Sequence, residues 1–181
     1  MVKTSALLFA LVIAGYPSPA VGQSPRAEKA TPTSTFISSE ALDKVLAQLK
    51  GRPEPVIDQP LRVVDAGSGY NVGIAVIRRT KPEAQSLLHD KITEVYHVLE
   101  GGGTLTTGGT LVDRKPPDAA LLKLVGPGGV GTAIQGGRTQ RLKAGDIVII
   151  PSGTPNMFTQ LEGTITYIIV RVDTGKVLAL Q

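Results

Sequence analysis

The sequence contains no cysteine and no tryptophan, and it has only two histidines among 181 residues. Without cysteine the chain forms no disulfide and presents no thiolate, so its fold must rest on core packing. Two histidines are too few for a second histidine-based metal site beside a first. Lysine and arginine form no run, and the formal net charge is only +4. The composition therefore gives no support to nucleic-acid binding.

The N-terminal residues have the pattern of a cleavable export signal. The apolar run Ala6–Gly15 has the size of a signal-peptide core and is too short to span a bilayer. The small residues Ala20 and Gly22 then precede an expected cut before Gln23. We therefore expect residues 1–22 to be removed, leaving a periplasmic or secreted protein without a membrane segment. An uncleaved membrane anchor is the alternative.

A polar leader and one helix are predicted next. Residues 23–37 are polar and rich in Pro, Thr and Ser, which predicts a flexible leader. The apolar side chains of Ser39–Lys50 recur on one face, which predicts a helix capped by Ser38 and ended by Gly51. We assign residues 38–60 to this helix and a linker, and expect the helix on the outside of the domain or in a dimer contact.

From residue 61 onward the pattern changes to short segments rich in Val, Ile, Leu, Thr and Tyr, separated by glycine-bearing or charged turns. The predicted strands are Leu61–Ala66, Tyr70–Arg79, Glu83–Leu88, Thr93–Leu99, Gly103–Thr107, Leu121–Val125, Gln140–Leu142, Ile147–Ile150, Asn156–Leu161 and Ile165–Val172. Such a series predicts an antiparallel sandwich or barrel. Residues 112–137, with a proline pair and a glycine cluster, are predicted to form a long loop at the barrel mouth.

Two segments carry more specific information. In HDKITEVYHVLEGGG, which starts at His89, six residues separate Glu94 from Gly101. In GDIVIIPSGTPN, residues 145–156, the spacing is Gly-x5-Pro-x-Gly. The two segments resemble the paired signatures of the cupin family and are similar to those of small single-domain bacterial cupins. The resemblance implies an all-β fold, a cupin-type double-stranded β-helix or jelly-roll barrel over residues 61–181, with one N-terminal helix.

The resemblance also implies a metal site, but a depleted one. Cupins hold a metal ion with two His and one Glu of the first segment and one His of the second. Here Lys91 follows His89 two residues later, and Asn156 stands at the second segment's His position. The implied ligands are therefore His89, Glu94 and Asn156, whose amide oxygen is a weak ligand. The site holds a single divalent ion or none; in the latter case the Lys91 ammonium takes the place of the metal and pairs with Glu94.

Alternation along the strands places further side chains in the barrel lumen. Tyr96 shares the face of Glu94 and is expected to orient a ligand, or to act with Glu94 as a catalytic acid or base. Phe158 is an expected apolar wall, and Gln160 stands at a later amide position of the family. The predicted ligand pocket consists of Lys91, Tyr96, Phe158 and Gln160. His97 falls on the opposite face and is expected outside the barrel.

Three functions follow from these features. The first is an exported protein that binds a small molecule in the barrel lumen, with its metal site reduced or lost. The second is a metal-dependent enzyme, an isomerase, lyase or dioxygenase of a small polar substrate. The third is a structural or assembly protein that acts as a dimer. The expected partners are a small-molecule ligand and a second copy of the chain, without nucleic acid or membrane.

Overall fold

A computed structural model describes residues 33–181, so the predicted signal peptide and most of the leader lie outside the described residues. Within residues 33–181, no helix has the length and apolar character needed to cross a bilayer. Helix α1 spans Ser39–Leu49, and the Ser38 hydroxyl accepts a hydrogen bond of 3.2 Å from the Ala41 amide. The predicted helix and its N-cap are therefore confirmed.

Twelve strands and a second helix follow in the described part of the chain. They are β1 (Val56–Asp65), β2 (Asn71–Arg79), β3 (Ser86–His89), β4 (Ile92–Glu100), β5 (Gly102–Thr107), β6 (Thr110–Val112), α2 (Ala119–Val125), β7 (Gly128–Gly131), β8 (Ala133–Gln135), β9 (Arg138–Lys143), β10 (Ile147–Ile150), β11 (Asn156–Leu161) and β12 (Ile165–Asp173).

The strands form two five-stranded antiparallel sheets. The order is β1-β2-β12-β4-β10 in the first sheet and β7-β3-β11-β5-β9 in the second, while β6 and β8 pair separately. If β1, β6, β7 and β8 are set aside and the rest are numbered in chain order, the two sheets read 1-8-3-6 and 2-7-4-5. This is the strand order of a double-sheet jelly roll, the architecture that cupins share. The predicted fold class is confirmed.

The core lies between the two sheets and is centred on three aromatic rings. Tyr96 and Tyr167 of the first sheet lie 4.7 Å apart by ring centroids, and Phe158 of the second sheet lies 5.7 Å from Tyr167. A smaller apolar cluster joins α1 to the outer face of the first sheet through Leu49, Ile57 and Val76. Helix α1 therefore packs on the outside of the barrel, one of its two predicted places. The predicted dimer stays a prediction.

One predicted strand is wrong. Residues 121–125 belong to helix α2, whose N-cap Asp118 accepts a hydrogen bond of 2.8 Å from the Leu121 amide. A short apolar run fits a buried helix as well as a strand, and here the alanines, leucines and lysine favour the helix. Gly126, at φ +73°, ends it. The predicted loop also contains two short strands, β7 and β8.

Strand β1 begins at Val56, so the segment expected to be a linker is partly strand. Pro60 interrupts the strand pattern in the sequence, but in the structure it sits at a register shift between Pro60 and Arg62 in the β1–β2 pairing. Strand β1 is also an edge strand, and edges and bulges are the places where a sheet tolerates proline. The extra length brings Asp58 into the barrel.

Candidate functional site

A cavity of about 840 Å³ lies between the inner face of the first sheet and helix α2. Apart from the exposed Lys81 and Gln85, its polar lining falls into two groups. We call the first the Glu94 cluster; it consists of Asp58, His89, Glu94, Tyr96 and Arg171. We call the second the Arg79 cluster; it consists of Arg79, Glu83 and Tyr167. Apolar side chains, among them Val56, Leu121 and Leu124, form much of the remaining wall.

Strand alternation brings these side chains to the cavity. In β12, Tyr167, Ile169 and Arg171 share the inner face, because successive side chains point to opposite sides of a sheet. In β2 the same rule places Arg79 in phase with the buried Ile77. The two arginines therefore lie inside the barrel because they continue the apolar faces of long strands.

In the Glu94 cluster one arginine joins two carboxylates. Arg171 Nη2 lies 2.5 Å from Asp58 Oδ2, and its Nη1 donates to Asp58 Oδ1 at 3.3 Å. Its Nε donates to Glu94 Oε1 at 3.4 Å. The other oxygen of Glu94 accepts a hydrogen bond of 2.8 Å from the Tyr96 hydroxyl. Both oxygens of each carboxylate thus have a donor, which buried charges require.

Tyr96 serves in this cluster as a hydrogen-bond donor. Burial, reinforced by the neighbouring Glu94 carboxylate, raises its pKa well above the ordinary value of tyrosine. The phenol therefore keeps its proton at neutral pH. It can orient Glu94, but it is unsuited to removing a proton from a substrate in this state.

His89 reaches the cluster from the second sheet. Its Nε2 lies 3.6 Å from Glu94 Oε1, which is beyond normal hydrogen-bond distance. Burial lowers the pKa of His89, although the nearby Glu94 opposes the shift. The ring is therefore neutral at pH 7 and offers one donor and one acceptor.

The Arg79 cluster lies beside the first, where the ring of Tyr167 packs at a tilt against that of Tyr96. Arg79 Nε donates to the Tyr167 hydroxyl oxygen at 3.0 Å, and its Nη2 pairs with Glu83 Oε1 at 2.8 Å. Glu83 Oε2 accepts a hydrogen bond of 2.6 Å from the Phe158 amide. Burial raises the pKa of Glu83 and raises that of Tyr167 to about 12.

Of the residues predicted from sequence, His89, Glu94 and Tyr96 come together in the cavity. Lys91 does not, since it is exposed to solvent. Strand β3 ends at His89 and β4 begins at Ile92, so the alternation that placed Lys91 beside His89 is lost in the turn. Arg171 supplies the positive charge beside Glu94 that was expected from Lys91.

The two pocket residues predicted on β11 also lie elsewhere. Gln160 is exposed, because the pairing of β11 with β5 shifts register between Phe158 and Gln160 and changes the phase of the strand. Phe158 points inward as predicted, but it packs in the aromatic core and does not line the cavity. His97 is exposed on the outer face, as expected.

The residues implied as metal ligands are only partly gathered. Asn156 is buried at the start of β11 opposite Leu87, but it does not line the cavity, and its Nδ2 has no hydrogen-bond partner. In residues 33–181, no three His, Cys, Asp or Glu side chains are grouped to hold a metal ion. One neutral imidazole and one carboxylate already facing a guanidinium are a poor donor set for a divalent cation.

Sequence reasoning missed Asp58, Arg79, Glu83, Tyr167 and Arg171. A signal was present in β12, where an arginine follows Tyr167 and Ile169 in strict alternation. A charged residue in phase with a buried apolar face indicates an interior ion pair. The partner of such a charge, here Asp58, lies more than a hundred positions away and cannot be read from one strand.

Several proteins of known structure are similar to this chain in fold. No family model matches the chain, and no curated protein matches it. Among solved structures, the EutQ protein of Clostridium difficile is 17% identical over 66% of this chain and 69% of its own, with a TM-score of 0.37. A cupin superfamily protein of Desulfitobacterium hafniense is 12% identical over 70% of this chain and 85% of its own, with a TM-score of 0.41.

A putative mannose-6-phosphate isomerase of Ralstonia eutropha is 15% identical over 68% of this chain and 88% of its own, with a TM-score of 0.41. Similarities this low transfer no activity, ligand or partner, because one fold hosts many functions. The strand order of the two sheets is stronger evidence for the fold than these similarities are. On that order, the protein is a jelly-roll barrel of the cupin fold.

Proposed function

We propose that this protein binds a small organic molecule in the barrel cavity and does so without a metal centre. The observation that carries the proposal is the position of Arg171, whose Nε lies 3.4 Å from the same Glu94 oxygen that His89 faces at 3.6 Å. A fixed guanidinium already neutralises the carboxylate that would have to receive a divalent ion. The Glu94 cluster then acts as a preorganised polar floor.

The cavity has the character of a ligand site. Its volume of about 840 Å³ falls in the range of small-molecule pockets. Its walls combine apolar side chains with a few polar groups held in fixed positions by their partners, and such groups orient a ligand with little loss of side-chain entropy. The hydrogen bonds of Tyr96 and Arg171 hold the floor in place before any ligand arrives.

A metal-dependent enzyme is the second candidate, because His89 and Glu94 do meet in the cavity. In that function the two side chains would hold an ion that polarises a substrate oxygen. Tyr96, which keeps its proton, would act as a hydrogen-bond donor or general acid and not as a base.

Metal content of the mature protein, purified without an affinity tag, separates the two candidates. We expect inductively coupled plasma mass spectrometry to find far less than one transition metal ion per chain. A content near one ion per chain that falls in both His89→Ala and Glu94→Gln would contradict the binding proposal. His97→Ala is the matched control, because this histidine lies on the outer face.

Export is part of the proposal and is supported by the apolar run Ala6–Gly15 and the small residues before Gln23. Protein recovered from the periplasm of an expressing bacterium should have the mass of a chain that starts at Gln23. A full-length chain in the membrane fraction would contradict export by cleavage.

A further inference from the structure

The two polar clusters of the cavity differ in how many of their donors are already used. In the Glu94 cluster, the hydroxyl proton of Tyr96 goes to Glu94, and Arg171 binds two carboxylates. In the Arg79 cluster, the hydroxyl oxygen of Tyr167 accepts from Arg79, but its own proton has no acceptor among the described residues. The Tyr167 hydroxyl is therefore a donor without a partner in residues 33–181.

Arg79 also has N–H groups without an acceptor among the described residues. A guanidinium carries five N–H groups. Those of Arg79 go to Tyr167 and Glu83 through Nε and Nη2, and Nη1 donates to no atom of residues 33–181. Both Arg79 and Tyr167 line the cavity. Two side chains that line the same cavity thus have N–H and O–H donors that no atom of the described residues uses.

The charge of the cavity lining indicates which class of ligand would use these donors. The buried lining holds three carboxylates, Asp58, Glu83 and Glu94, against two guanidiniums, Arg79 and Arg171, and His89 is neutral. With all five groups ionised, the lining carries one excess negative charge, and Lys81 stands in solvent at the mouth. Another buried anion would be repelled.

A cationic ligand is disfavoured for a different reason. Each carboxylate already accepts hydrogen bonds through both oxygens, from Arg171, Tyr96, Arg79 or the Phe158 amide. An ammonium group placed against one of these carboxylates would lie close to the guanidinium already beside it, and the two positive charges repel each other. It would also lose the hydration of its own charge on burial. An uncharged acceptor oxygen meets neither cost.

The mouth of the cavity defines the rest of the ligand. Val56 and Leu124 line it and are 46% and 45% exposed, and Leu121 lies beside them on α2. Apolar side chains exposed around a concave opening gain by covering an apolar group. The ligand therefore has an apolar body at the mouth and a polar end inside.

We propose that Arg79 and Tyr167 form a subsite for the carbonyl oxygen of an uncharged ligand with an apolar body. This inference rests on the proposed binding function and names the ligand class for that cavity. The Tyr167 O–H and an Arg79 N–H donate to the carbonyl oxygen, while Glu83 holds the guanidinium in place. The pKa of Tyr167, raised to about 12 because the phenol is buried, keeps the donating proton present at neutral pH.

Three probes with similar eight-carbon bodies test the ligand class by isothermal titration calorimetry in one buffer at pH 7. They are 2-octanone, octanoate and octylammonium. We expect 2-octanone to bind at least tenfold more tightly than either ion. Equal affinities, or tighter binding of an ion, would overturn the carbonyl subsite but leave the binding function standing. Absence of binding by all three would contradict both.

Tyr167→Phe tests the subsite itself, because it removes the donor and keeps the ring. We expect it to weaken 2-octanone binding about five- to tenfold, the usual effect of one lost hydrogen bond. Tyr70→Phe is the matched control, since Tyr70 does not line the cavity. Unchanged affinity in folded Tyr167→Phe would refute the assignment. Should that variant fail to fold, the ranking of the three probes in the unmodified protein still decides.

Discussion

The two sheets contribute very differently to the cavity. The first sheet supplies Asp58, Arg79, Glu94, Tyr96, Tyr167 and Arg171. Within residues 33–181, the second sheet supplies only Leu87 and His89 to the lining. Most of the chemistry therefore lies on one sheet, and the other mainly closes the barrel.

Strand length explains much of this difference. Strands β1, β2, β4 and β12 of the first sheet have nine or ten residues, whereas β3 and β7 of the second have four. A long strand has enough inward positions to build the aromatic core and to place polar groups beyond it. A strand of four residues has only two inward positions. In β7 three of the four residues are glycines, which let this strand lie close to β3.

The largest effect should come from Arg171→Met on the first sheet. Removal of this guanidinium leaves Asp58 and Glu94 buried without their cation, so the free energy of unfolding should fall by about 3–5 kcal/mol. Denaturant unfolding followed by circular dichroism measures the change. The control is Arg141→Met on the second sheet, which breaks an exposed pair with Glu162 and should matter little. Similar losses in both variants would remove the contrast between the sheets.

A smaller effect is expected from Gly128→Ala on the second sheet. An added Cβ would lie 1.9 Å from the Leu88 carbonyl oxygen, so β7 would have to move away from β3. We expect a loss of about 1–3 kcal/mol in the free energy of unfolding, typical of overpacking. Gly73→Ala is the counterpart on the first sheet, where the nearest contact is the tip of Leu178 at 3.0 Å, and should cost less. The reverse order would show that the close approach is not what requires glycine.

The pH dependence of stability should reveal the one titratable side chain that the second sheet brings to the described cavity, His89. Its pKa is lowered in the folded protein by burial, so below about pH 6.5 the unfolded chain binds a proton that the native state does not. The free energy of unfolding should therefore decrease as the pH is lowered, by at most about 1.4 kcal/mol per pH unit. His89→Gln should remove this part of the slope.

His97→Gln provides the comparison for that measurement, because His97 lies on the outer face of the barrel. Unfolding curves at several pH values between 7.5 and 5 should show the same slope for His97→Gln as for the unmodified protein. If His97→Gln flattened the slope and His89→Gln did not, the buried neutral imidazole would be ruled out.

The smallest effect should come from Lys91→Ala. Lys91 is exposed in the turn between the sheets and pairs with no carboxylate of the cavity, so stability should change by less than about 0.5 kcal/mol. Probe binding should also be unchanged. A loss of binding affinity would instead indicate that Lys91 lines the pocket, as the sequence pattern predicts.

The fold was predictable because turn signatures and alternation are local. Glycine and proline spacing around Gly145 and Pro151 fixes where strands start and stop, whatever the distant chain does. Glu94 and Tyr96 were predictable for the same reason, since they lie within one such signature. Helix α2 was not, because a short apolar run contains no period long enough to separate helix from strand.

The rest of the site depends on pairing between distant strands. Asp58 and Arg171 meet only because β1, β2 and β12 are neighbours in the first sheet. Gln160 lies outside the lumen because of a register shift between Phe158 and Gln160, and the residue types at these positions do not indicate such a shift. Such features follow from the tertiary arrangement of the whole sheet, which a strand-by-strand interpretation of the sequence does not contain.

Glu83 ties the two sheets together at the edge of the cavity. Its amide donates to the Phe158 carbonyl at 2.9 Å, its carboxylate accepts from the Phe158 amide at 2.6 Å, and Arg79 holds the other oxygen. A segment clamped to β11 through both its backbone and its side chain cannot swing aside without breaking several bonds at once. For a ligand bound as proposed, α2 would be the easier side to displace, because this helix contributes only the apolar Leu121, Leu124 and Val125 to the cavity lining.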